Sequence, residues 1–312
     1  MTKKVLITCP PMLKQIDKLS DYFKKYEMEI TTPEVIQTLS INQLKKIVPL
    51  HDGWIIGDDP ATGEVFAAGK SGRLSAAVKW GIGVDNVDFE SCKSLGISIQ
   101  NTPGMFGSEV ADLAMCYILG LARDAFYIDH EIRKGFWVKP AGISLPGKTI
   151  GIVGLGDIGR NIAKRAKAHD LKIIGWDPFA KNLPEYINLL DSFPCDLNLC
   201  DFLVFACPLT KNNFHMFNKN TLNLVKPGLR LINVSRGSLI DESSLVLGLQ
   251  NGKLNSVALD VFENEPLSKD NSLLNFPRCI LGSHNGSNTI DAVMRTSIYS
   301  IELLNKFLYT NE

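Results

Sequence analysis

The sequence predicts an α/β protein with two lobes, each built on a parallel sheet of the Rossmann or flavodoxin-like kind. Two observations lead to this fold class. Short β-rich segments alternate with helical patterns along the whole chain, and a glycine-rich turn joins one strand to one helix near the middle. The length of 312 residues agrees with it, since about 150 residues per domain predict about two domains.

The first lobe is predicted from four strands near the start of the chain. They are the β-rich segments Val5–Thr8, Gly53–Gly57, Ser75–Trp80 and Ile97–Ile99. A helical pattern over Met12–Tyr26 follows the first strand. Strands and helices that alternate in this way are typical of a parallel sheet with crossover helices.

The second lobe is predicted from six strands after Lys148. They are Thr149–Val153, Leu171–Trp176, Phe202–Ala206, Arg230–Val234, Ser256–Leu259 and Cys279–Leu281. A helix over Asp157–Ala168 separates the first two of them. Six strands joined by crossovers match one complete nucleotide-binding lobe.

Between the two lobes, the segment Ser108–Trp137 predicts helical structure. Most of its first half is apolar on every side, and a helix of that kind is buried. The simplest interpretation is a core helix between the lobes. A dimer contact in the same region is the second interpretation.

Composition argues against several classes of protein. The 33 basic residues equal the 33 acidic residues, whereas a nucleic-acid binder has a basic excess. The longest apolar run, Leu113–Ala122, falls short of the roughly 20 residues of a membrane helix, and no signal peptide is recognisable. Seven cysteines without a C-x-x-C pattern favour reduced thiols in a cytoplasm over disulfides or a metal site.

A G-x-G-x-x-G pattern runs from Gly154 to Gly159. Because it follows an apolar strand and opens a predicted helix, it predicts a turn that binds a dinucleotide. Gly154 permits the tight turn, Gly156 lets the backbone approach a pyrophosphate, and Gly159 allows the helix to pack closely on the sheet. The N–H groups at the start of that helix favour phosphate.

Asp177 ends the next predicted strand, about 20 residues after the glycine turn, where an acid binds the ribose hydroxyls in such lobes. A carboxylate there repels the 2′-phosphate of NADP, so the sequence predicts NAD as the cofactor. NADP stays as the alternative because Lys181 lies nearby in the sequence. A plain turn residue is the structural interpretation of Asp177.

Three later strands each end in residues that are able to do chemistry. Arg236 follows one strand, the acids Asp260, Glu263 and Glu265 follow the next, and His284 follows the third. Ligands of open α/β sheets bind outside this edge. Arginine can hold a carboxylate with two parallel hydrogen bonds, and an acid can support a histidine in proton transfer. Taken singly, each residue also fits a surface or structural role.

With these residues, the chain resembles the D-isomer-specific 2-hydroxyacid dehydrogenase family, in its phosphoglycerate-dehydrogenase-like group without C-terminal regulatory domains. The resemblance covers nearly the whole chain, and its motifs stand in the family's order. The matching segments are Trp80–Asp88, Asn101–Gly104, Gly151–Asp177, Cys207–Thr210, Asn233–Asp241, Leu259–Pro266 and Ser283–Gly286.

The resemblance implies an NAD-dependent oxidoreductase that transfers hydride between the nicotinamide and C2 of a small 2-oxo acid. Arg236, Glu265 and His284 would be its catalytic residues. Arg236 would bind the carboxylate and carbonyl of the substrate. His284 would donate the proton in reduction, and Glu265 would pair with it and favour the imidazolium form.

The resemblance also implies where the ligands bind. Asp260 would hold the nicotinamide side of the cofactor, and the backbone of Ile82 and Gly83 would receive the substrate carboxylate. The remaining residues that would line the cofactor are Asp157, Ile158, Cys207, Pro208, Val234, Ser235 and Gly286.

The same resemblance implies an interrupted domain order. Residues 1–100 and 288–312 would form the substrate-binding domain, and residues 101–287 would form the inserted NAD-binding domain. A homodimer would form through the 108–137 region.

Some residues depart from the family's pattern. The family often has proline before the histidine and an apolar residue after it, where this chain has Ser283 and Asn285. Asp58 and Asp59 place two acids where a phosphorylated substrate would prefer cations, which argues against phosphoglycerate.

Two alternative functions stay open. One is a formate- or phosphite-type dehydrogenase on the same scaffold, in which a histidine–glutamate pair has no carbonyl to protonate. The other is an NAD-sensing corepressor-like module, which turnover and partner capture would distinguish.

Overall fold

The structure of the protein is a computed structural model that describes residues 2–309. The described chain forms two parallel sheets, one of five strands and one of seven. It divides into two compact units. Unit 1 holds the chain up to Phe106 and from Ser287 onward, and unit 2 holds Gly107–Gly286. The predicted α/β class with two parallel sheets is therefore confirmed.

The sheet of unit 1 has the order β2-β1-β3-β4-β5. This is the flavodoxin-like order, in which ligands bind at the carboxyl ends of the first and third strands. Val5 of the first strand lies opposite Ile30 and Gly53 of its two neighbours. The strands are β1 (Lys3–Ile7), β2 (Met28–Thr31), β3 (Gly53–Ile56), β4 (Ala76–Lys79) and β5 (Ser98–Asn101).

The sequence does not predict β2. Of its four residues only Met28 is buried, while Glu29 is exposed and the other two are half-buried. A short strand at the edge of a sheet contributes little to the core, so its sequence has no clear alternation of apolar and polar residues.

In the described part of unit 1, six α-helices cover the sheet. The helix predicted over Met12–Tyr26 is two helices, which meet at Gln15. The last helix packs on β4, where the Trp80 indole N–H donates to Ser297 Oγ at 3.1 Å. The helices are α1 (Pro10–Leu13), α2 (Ile16–Lys25), α3 (Ile41–Ile47), α4 (Gly63–Ser71), α5 (Phe89–Leu95) and α11 (Ile290–Tyr309).

The sheet of unit 2 has the order β12-β11-β10-β9-β6-β7-β8. The direction of winding reverses between β6 and β9, as in a dinucleotide-binding sheet. All six predicted strands are present. The edge strand β8 is not predicted by the sequence, because its middle residues Asn188 and Leu189 are exposed. The strands are β6 (Thr149–Val153), β7 (Lys172–Trp176), β8 (Ile187–Leu190), β9 (Phe202–Phe205), β10 (Leu229–Asn233), β11 (Leu254–Leu259) and β12 (Ile280–Leu281).

Five α-helices belong to unit 2. They are α6 (Gly107–Arg123), α7 (Ala125–Arg133), α8 (Asp157–Ala168), α9 (Lys219–Leu224) and α10 (Glu242–Gln250). The helix predicted over Asp157–Ala168 is confirmed as α8. Helices α6 and α7 are separate because Asp124 has a left-handed backbone, with φ of 51°.

The expectation that the first of these helices is buried on every side is wrong. Val110, Ala114 and Ile118 are buried, and α6 packs against α8, but Asp112 and Cys116 are exposed. An amphipathic helix with a wide apolar face needs only one partner surface.

Two further observations concern membrane spans and metal sites in the described residues. Within residues 2–309 no helix is long and apolar enough to cross a membrane. In the same range, no group of three or more His, Cys, Asp or Glu side chains is arranged to hold a metal ion. Each of the seven cysteines is a free thiol.

Candidate functional site

The candidate site of unit 2 lies at the carboxyl edge of its sheet. Arg236 follows β10, Asp260 and Glu265 follow β11, and His284 follows β12. These three strands are neighbours in the sheet. Parallel strands end at the same edge, so the fold places the three predicted catalytic segments side by side.

His284 and Glu265 form a direct pair. The imidazole Nδ1 lies 2.7 Å from Glu265 Oε2. The other carboxylate oxygen, Oε1, accepts a hydrogen bond from the Phe262 backbone N–H at 3.0 Å. Both side chains are about a quarter exposed, at 27% and 24%. The carboxylate is thus held from two sides and fixes one ring nitrogen of an accessible histidine.

The backbone of His284 is in the left-handed region, with φ of 55°. Such a conformation costs a non-glycine residue roughly 1–3 kcal/mol and persists only where the surroundings impose it. The surroundings are visible here, because the His284 N–H donates to the Asp260 carbonyl oxygen at 2.6 Å. Unfavourable backbone angles of this kind are common at active sites.

Asp260 organises the loop that carries the histidine. Its side chain is buried, and its Oδ1 accepts from the Asn285 N–H at 3.1 Å and from the Tyr117 hydroxyl at 3.4 Å. Oδ2 accepts from the Gly286 N–H at 2.8 Å. Burial, followed by the nearby Asp260 charge, raises the pKa of Tyr117, so the phenol stays a donor. Asn285 therefore contributes its backbone N–H to this network.

Arg236 stands in a turn that Asn233 holds. The Asn233 side-chain amide donates to the Arg236 carbonyl at 2.8 Å, and its Oδ1 accepts from the Ser235 N–H at 3.1 Å. The Arg236 guanidinium donates to the Ser235 carbonyl at 2.9 Å. The sequence offered only one signal for the role of Asn233, a polar residue at the end of an apolar strand.

The glycine turn has the geometry that its sequence predicts. Gly154 has φ of 94°, and a Cβ there would lie 2.7 Å from the Cys207 backbone. A Cβ at Gly159 would lie 1.9 Å from the Gly154 carbonyl oxygen. Above Gly156 a Cβ would meet nothing within 4 Å. The turn is therefore tight at both ends and open in the middle, next to the exposed Asp157 at the start of α8.

Asp177 directly follows β7, beside this turn. Its Oδ2 accepts from the Leu155 N–H at 2.7 Å, and its Oδ1 accepts from the Phe179 N–H at 2.8 Å. Arg160, in the first turn of α8, donates to the Leu155 carbonyl at 2.8 Å and to the carbonyls of residues 181 and 182. Sequence reasoning missed Arg160. Its position directly after the last glycine of the turn was the available signal.

The other predicted cofactor residues lie at the same edge. The Ser235 hydroxyl donates to the Cys207 carbonyl, which links the ends of β9 and β10. Burial raises the pKa of the Cys207 thiol to about 12, so the thiol is neutral and a poor nucleophile. Val234 is buried, and Ile158 is half-buried on α8. The Pro208 carbonyl accepts from the Asn213 side-chain amide at 2.8 Å.

In unit 1, Ile82 and Gly83 follow β4. The Ile82 carbonyl accepts from the Asn101 side-chain amide at 3.0 Å. The last residue of β4, Lys79, is buried and donates through Nζ to the Gly57 carbonyl at 2.5 Å and to Asp58 Oδ1 at 3.1 Å. The glycine-flanked turn at residues 81–83 thus follows a buried ammonium group.

The structure separates the two acids that follow β3. Asp59 is buried, its Oδ1 accepts from the Leu39 N–H at 2.8 Å, and burial raises its pKa. Only Asp58 is exposed, and it pairs with Lys79. The expectation of two acids that face a substrate is therefore wrong for Asp59, because its side chain turns inward to hold the backbone of a neighbouring loop.

Comparison with known proteins points to one family. The model for "D-isomer specific 2-hydroxyacid dehydrogenase, NAD binding domain" matches residues 115–286, more than half of the chain. The hydroxypyruvate reductase of Thermotoga maritima is 34% identical in an alignment of 306 residues that covers 96% of this chain and 96% of the relative. The TT0316 protein of Thermus thermophilus has a similar structure, with a TM-score of 0.88, 30% identity and coverage of 99% and 98%.

A second group of relatives is longer than this chain. The D-3-phosphoglycerate dehydrogenase of Methanocaldococcus jannaschii is 36% identical in an alignment of 244 residues that covers 77% of this chain and 46% of the relative. The chain therefore spans about half the length of this dehydrogenase, whereas it spans nearly the whole Thermotoga reductase.

Proposed function

The chain belongs to the D-isomer-specific 2-hydroxyacid dehydrogenase family, and we propose that Arg236, Glu265 and His284 are the residues that carry out its reaction. The chain is an oxidoreductase that binds NAD(H) and acts on the CH–OH group of 2-hydroxy acids. The observation that carries the assignment of residues is the 2.7 Å pair between His284 Nδ1 and Glu265 Oε2, at the strand end next to Arg236.

His284 is the proton donor for reduction of the carbonyl. Its Nδ1 is engaged by Glu265, so the ring nitrogen that exchanges a proton with substrate is Nε2. When hydride reaches C2, the electron pair of the C=O bond moves to oxygen, and the Nε2 proton forms the hydroxyl. In the oxidation of a 2-hydroxy acid, the same nitrogen removes the hydroxyl proton. The pair fits an oxo acid better than formate, whose oxidation has no carbonyl to protonate.

Arg236 binds the substrate and stabilises the charge that develops on the carbonyl oxygen. A guanidinium presents parallel N–H donors that match a carboxylate and an adjacent carbonyl. The side chain is half-buried, where a charge interaction is stronger than in bulk water. The Asn233 amide holds the turn on which it stands.

The residues of unit 2 fit NAD(H). The open space above Gly156 and the start of the twelve-residue helix α8 suit a pyrophosphate, and Asp177 suits a ribose. When bound, NADH supplies the hydride from C4 of its nicotinamide. The proposed cofactor site is completed by Ile158, Cys207, Pro208, Val234, Ser235, Asp260 and Gly286. Unit 1 is the proposed substrate domain, in which the backbone of Ile82 and Gly83 receives the carboxylate.

NAD is the proposed cofactor in preference to NADP. The Asp177 carboxylate repels a 2′-phosphate, and the Arg160 guanidinium is occupied by backbone carbonyls of residues 155, 181 and 182. Three of the five N–H groups of this guanidinium are therefore engaged, which leaves it fewer donors for a phosphate.

Replacing Asp177 by asparagine should lower the preference for NADH over NADPH by at least about tenfold, because the negative charge is removed and the size is kept. The measurement is the ratio of kcat/KM for the two cofactors with one 2-oxo acid. Asp191→Asn, on an exposed carboxylate after β8, is the matched control. An unchanged ratio in Asp177→Asn would show that Asp177 does not bind the ribose.

The substrate is proposed to be a small, unphosphorylated 2-oxo acid such as glyoxylate or hydroxypyruvate. Lys79 is the buried cation next to the 81–83 turn, and its charge is matched by Asp58. A phosphate group would have to compete with that carboxylate for the ammonium group, which costs binding energy.

The test is a panel of glyoxylate, pyruvate, hydroxypyruvate and 3-phosphohydroxypyruvate, with NADH absorbance as the readout. We expect kcat/KM for the best unphosphorylated acid to exceed that for 3-phosphohydroxypyruvate by at least about tenfold. Asp58→Asn should bring the two kcat/KM values closer together, because it removes the carboxylate that matches the Lys79 charge. Faster turnover of the phosphorylated acid would overturn the proposed substrate. No turnover of any acid would overturn the proposed function.

We propose in addition a homodimer through the 108–137 region. Helix α7 has no buried residue, and the apolar side chains of Phe126, Ile132, Phe136 and Trp137 are exposed, the last by 79%. Exposed apolar patches of this kind mark association surfaces.

The free cysteines support a reducing compartment such as the cytoplasm as the place of action.

Replacing Trp137 by serine should shift the protein from dimer toward monomer, because it removes the most exposed large ring of that patch. Light scattering after gel filtration should give twice 34.4 kDa for the wild type and a lower mass for the variant. Ile36→Ser, at an apolar side chain of unit 1 that is even more exposed (96%), should leave the mass unchanged. A monomeric wild type would rule out the dimer.

A further inference from the structure

Beside the proposed catalytic pair, two glutamates hold each other's backbone. The Glu242 N–H donates to Glu263 Oε1 at 2.8 Å, and the Glu263 N–H donates to Glu242 Oε1 at 2.8 Å. We propose that this reciprocal link makes Glu242 and Glu263 positioning residues, which hold the loop of Glu265 in the place where it orients His284. The inference rests on the proposed function of Glu265 and His284.

The link joins the first turn of α10 to the loop after β11. Glu242 is the first residue of that helix, and its N–H lacks a partner within the helix. A carboxylate in this position is favoured by the helix dipole. Hydrogen bonds to an ionised acceptor are shorter and stronger than neutral ones. The two segments are therefore joined more firmly than by a single backbone contact.

Each carboxylate has a further polar neighbour. Glu242 Oε2 accepts from the Asn271 side-chain amide at 3.0 Å. Glu263 Oε1 lies 3.4 Å from His215 Nε2. Each side chain is half-buried, so solvent competes with these bonds only in part. The link has a defined geometry on both sides.

The held peptide is adjacent to the one that orients Glu265. The Glu263 N–H is bound by Glu242, and the preceding N–H, that of Phe262, is bound by Glu265 Oε1 at 3.0 Å. The second oxygen of Glu265 meets His284. A rotation of the 262–263 backbone would therefore turn the Glu265 carboxylate away from the imidazole.

The same peptide also touches the turn of Arg236. A Cβ at Gly237 would lie 1.9 Å from the Phe262 carbonyl carbon and 2.4 Å from the Glu263 nitrogen. The two backbones are in direct contact, because the glycine has no side chain. A displacement of the loop would consequently reach the residue next to Arg236 as well as Glu265.

The test compares Glu263→Ala with Glu263→Gln, because glutamine keeps an oxygen that can accept the Glu242 N–H. We expect the alanine variant to lower kcat for 2-oxo acid reduction by about 10- to 100-fold, since a displacement of about 1 Å can cost 10²-fold. KM for the acid should change less than about threefold, and the Kd of NADH should stay the same. Glutamine should restore most of kcat. Glu302→Ala, on the exposed side of α11, is the matched control.

A double-mutant cycle tests whether Glu263 affects kcat through Glu265. If Glu263 acts through Glu265, then Glu263→Ala should cause little further loss of kcat in a Glu265→Gln background, because coupled residues are not additive. Glu242→Ala should show the same coupling. If an alanine variant fails to fold, Glu242→Asp, which keeps the charge and shortens the reach, should show the same kcat loss and the same coupling.

Three results would overturn this inference: full kcat in both alanine variants, additive losses in the cycle, or a glutamine variant as slow as the alanine variant. They differ from a failure of the proposed function. If the wild type reduces no 2-oxo acid, or Glu265→Gln keeps full activity, the proposed catalytic group itself fails. If Glu265→Gln is slow while Glu242→Ala and Glu263→Ala are fully active, only the positioning role fails.

Discussion

Replacing His284 by alanine is expected to lower kcat for 2-oxo acid reduction by about 10²- to 10⁴-fold, the range for loss of a positioned general acid. The reason is that the variant loses the imidazole at the end of β12, whose Nδ1 is held by Glu265 at 2.7 Å. The affinity for NADH should change little, because the proposed pyrophosphate and ribose contacts lie at the ends of β6 and β7. The measurement is steady-state turnover together with quenching of NADH fluorescence.

His169→Ala is the control for this experiment, since His169 is exposed at the end of α8, far from the carboxyl edge of the sheet. It should keep wild-type kcat. An active His284→Ala variant would remove the histidine from the mechanism. A variant that lost NADH binding as well as turnover would show that the loop from Ser283 to Gly286 acts on the cofactor and not only on the proton.

Replacing Arg236 by alanine is the second change with a large expected effect. It removes the cation that binds the carboxylate and the charge that stabilises the developing oxyanion. We expect kcat to fall by about 10²- to 10³-fold, as for loss of one oxyanion donor, and KM for the oxo acid to rise. The Kd of NADH should stay the same. Arg236→Lys should recover only part of the loss, because an ammonium group lacks the parallel donors of a guanidinium.

The matched control is Lys164→Ala, which removes one positive charge from the exposed side of α8. It separates the local role of the arginine from a change in overall charge, which is zero in the wild type. Equal effects of the two variants would point to long-range attraction of an anionic substrate and against a contact by Arg236.

Asp260 has a structural role in this site, whereas the sequence suggests only a role in cofactor binding. The resemblance assigns its carboxylate to the nicotinamide, and that assignment stays a prediction. In the structure, both carboxylate oxygens bind protein donors, among them the N–H groups of Asn285 and Gly286. The bond between the residue after His284 and Asp260 thus runs through a backbone N–H.

Local features of the fold were readable from the sequence, because they depend on neighbours along the chain. Alternating strands and helices require only short-range patterns, and they predicted both sheets. The glycine turn depends on steric needs at single positions, such as the positive φ of Gly154 and the close approach at Gly159. The order of strands in such sheets then placed Arg236, Glu265 and His284 at one edge.

The tertiary structure decided what depends on partners far apart in the chain. Burial separates Asp59 from Asp58, although the two are adjacent, because only one of them faces the Leu39 backbone. The edge strands β2 and β8 owe their existence to pairing with a neighbour. The reciprocal bonds of Glu242 and Glu263 join residues about 20 positions apart, and no periodic pattern encodes such a contact. Sequence by itself determined which chemical groups stand at the strand ends, and packing between distant segments decided which of those groups face each other.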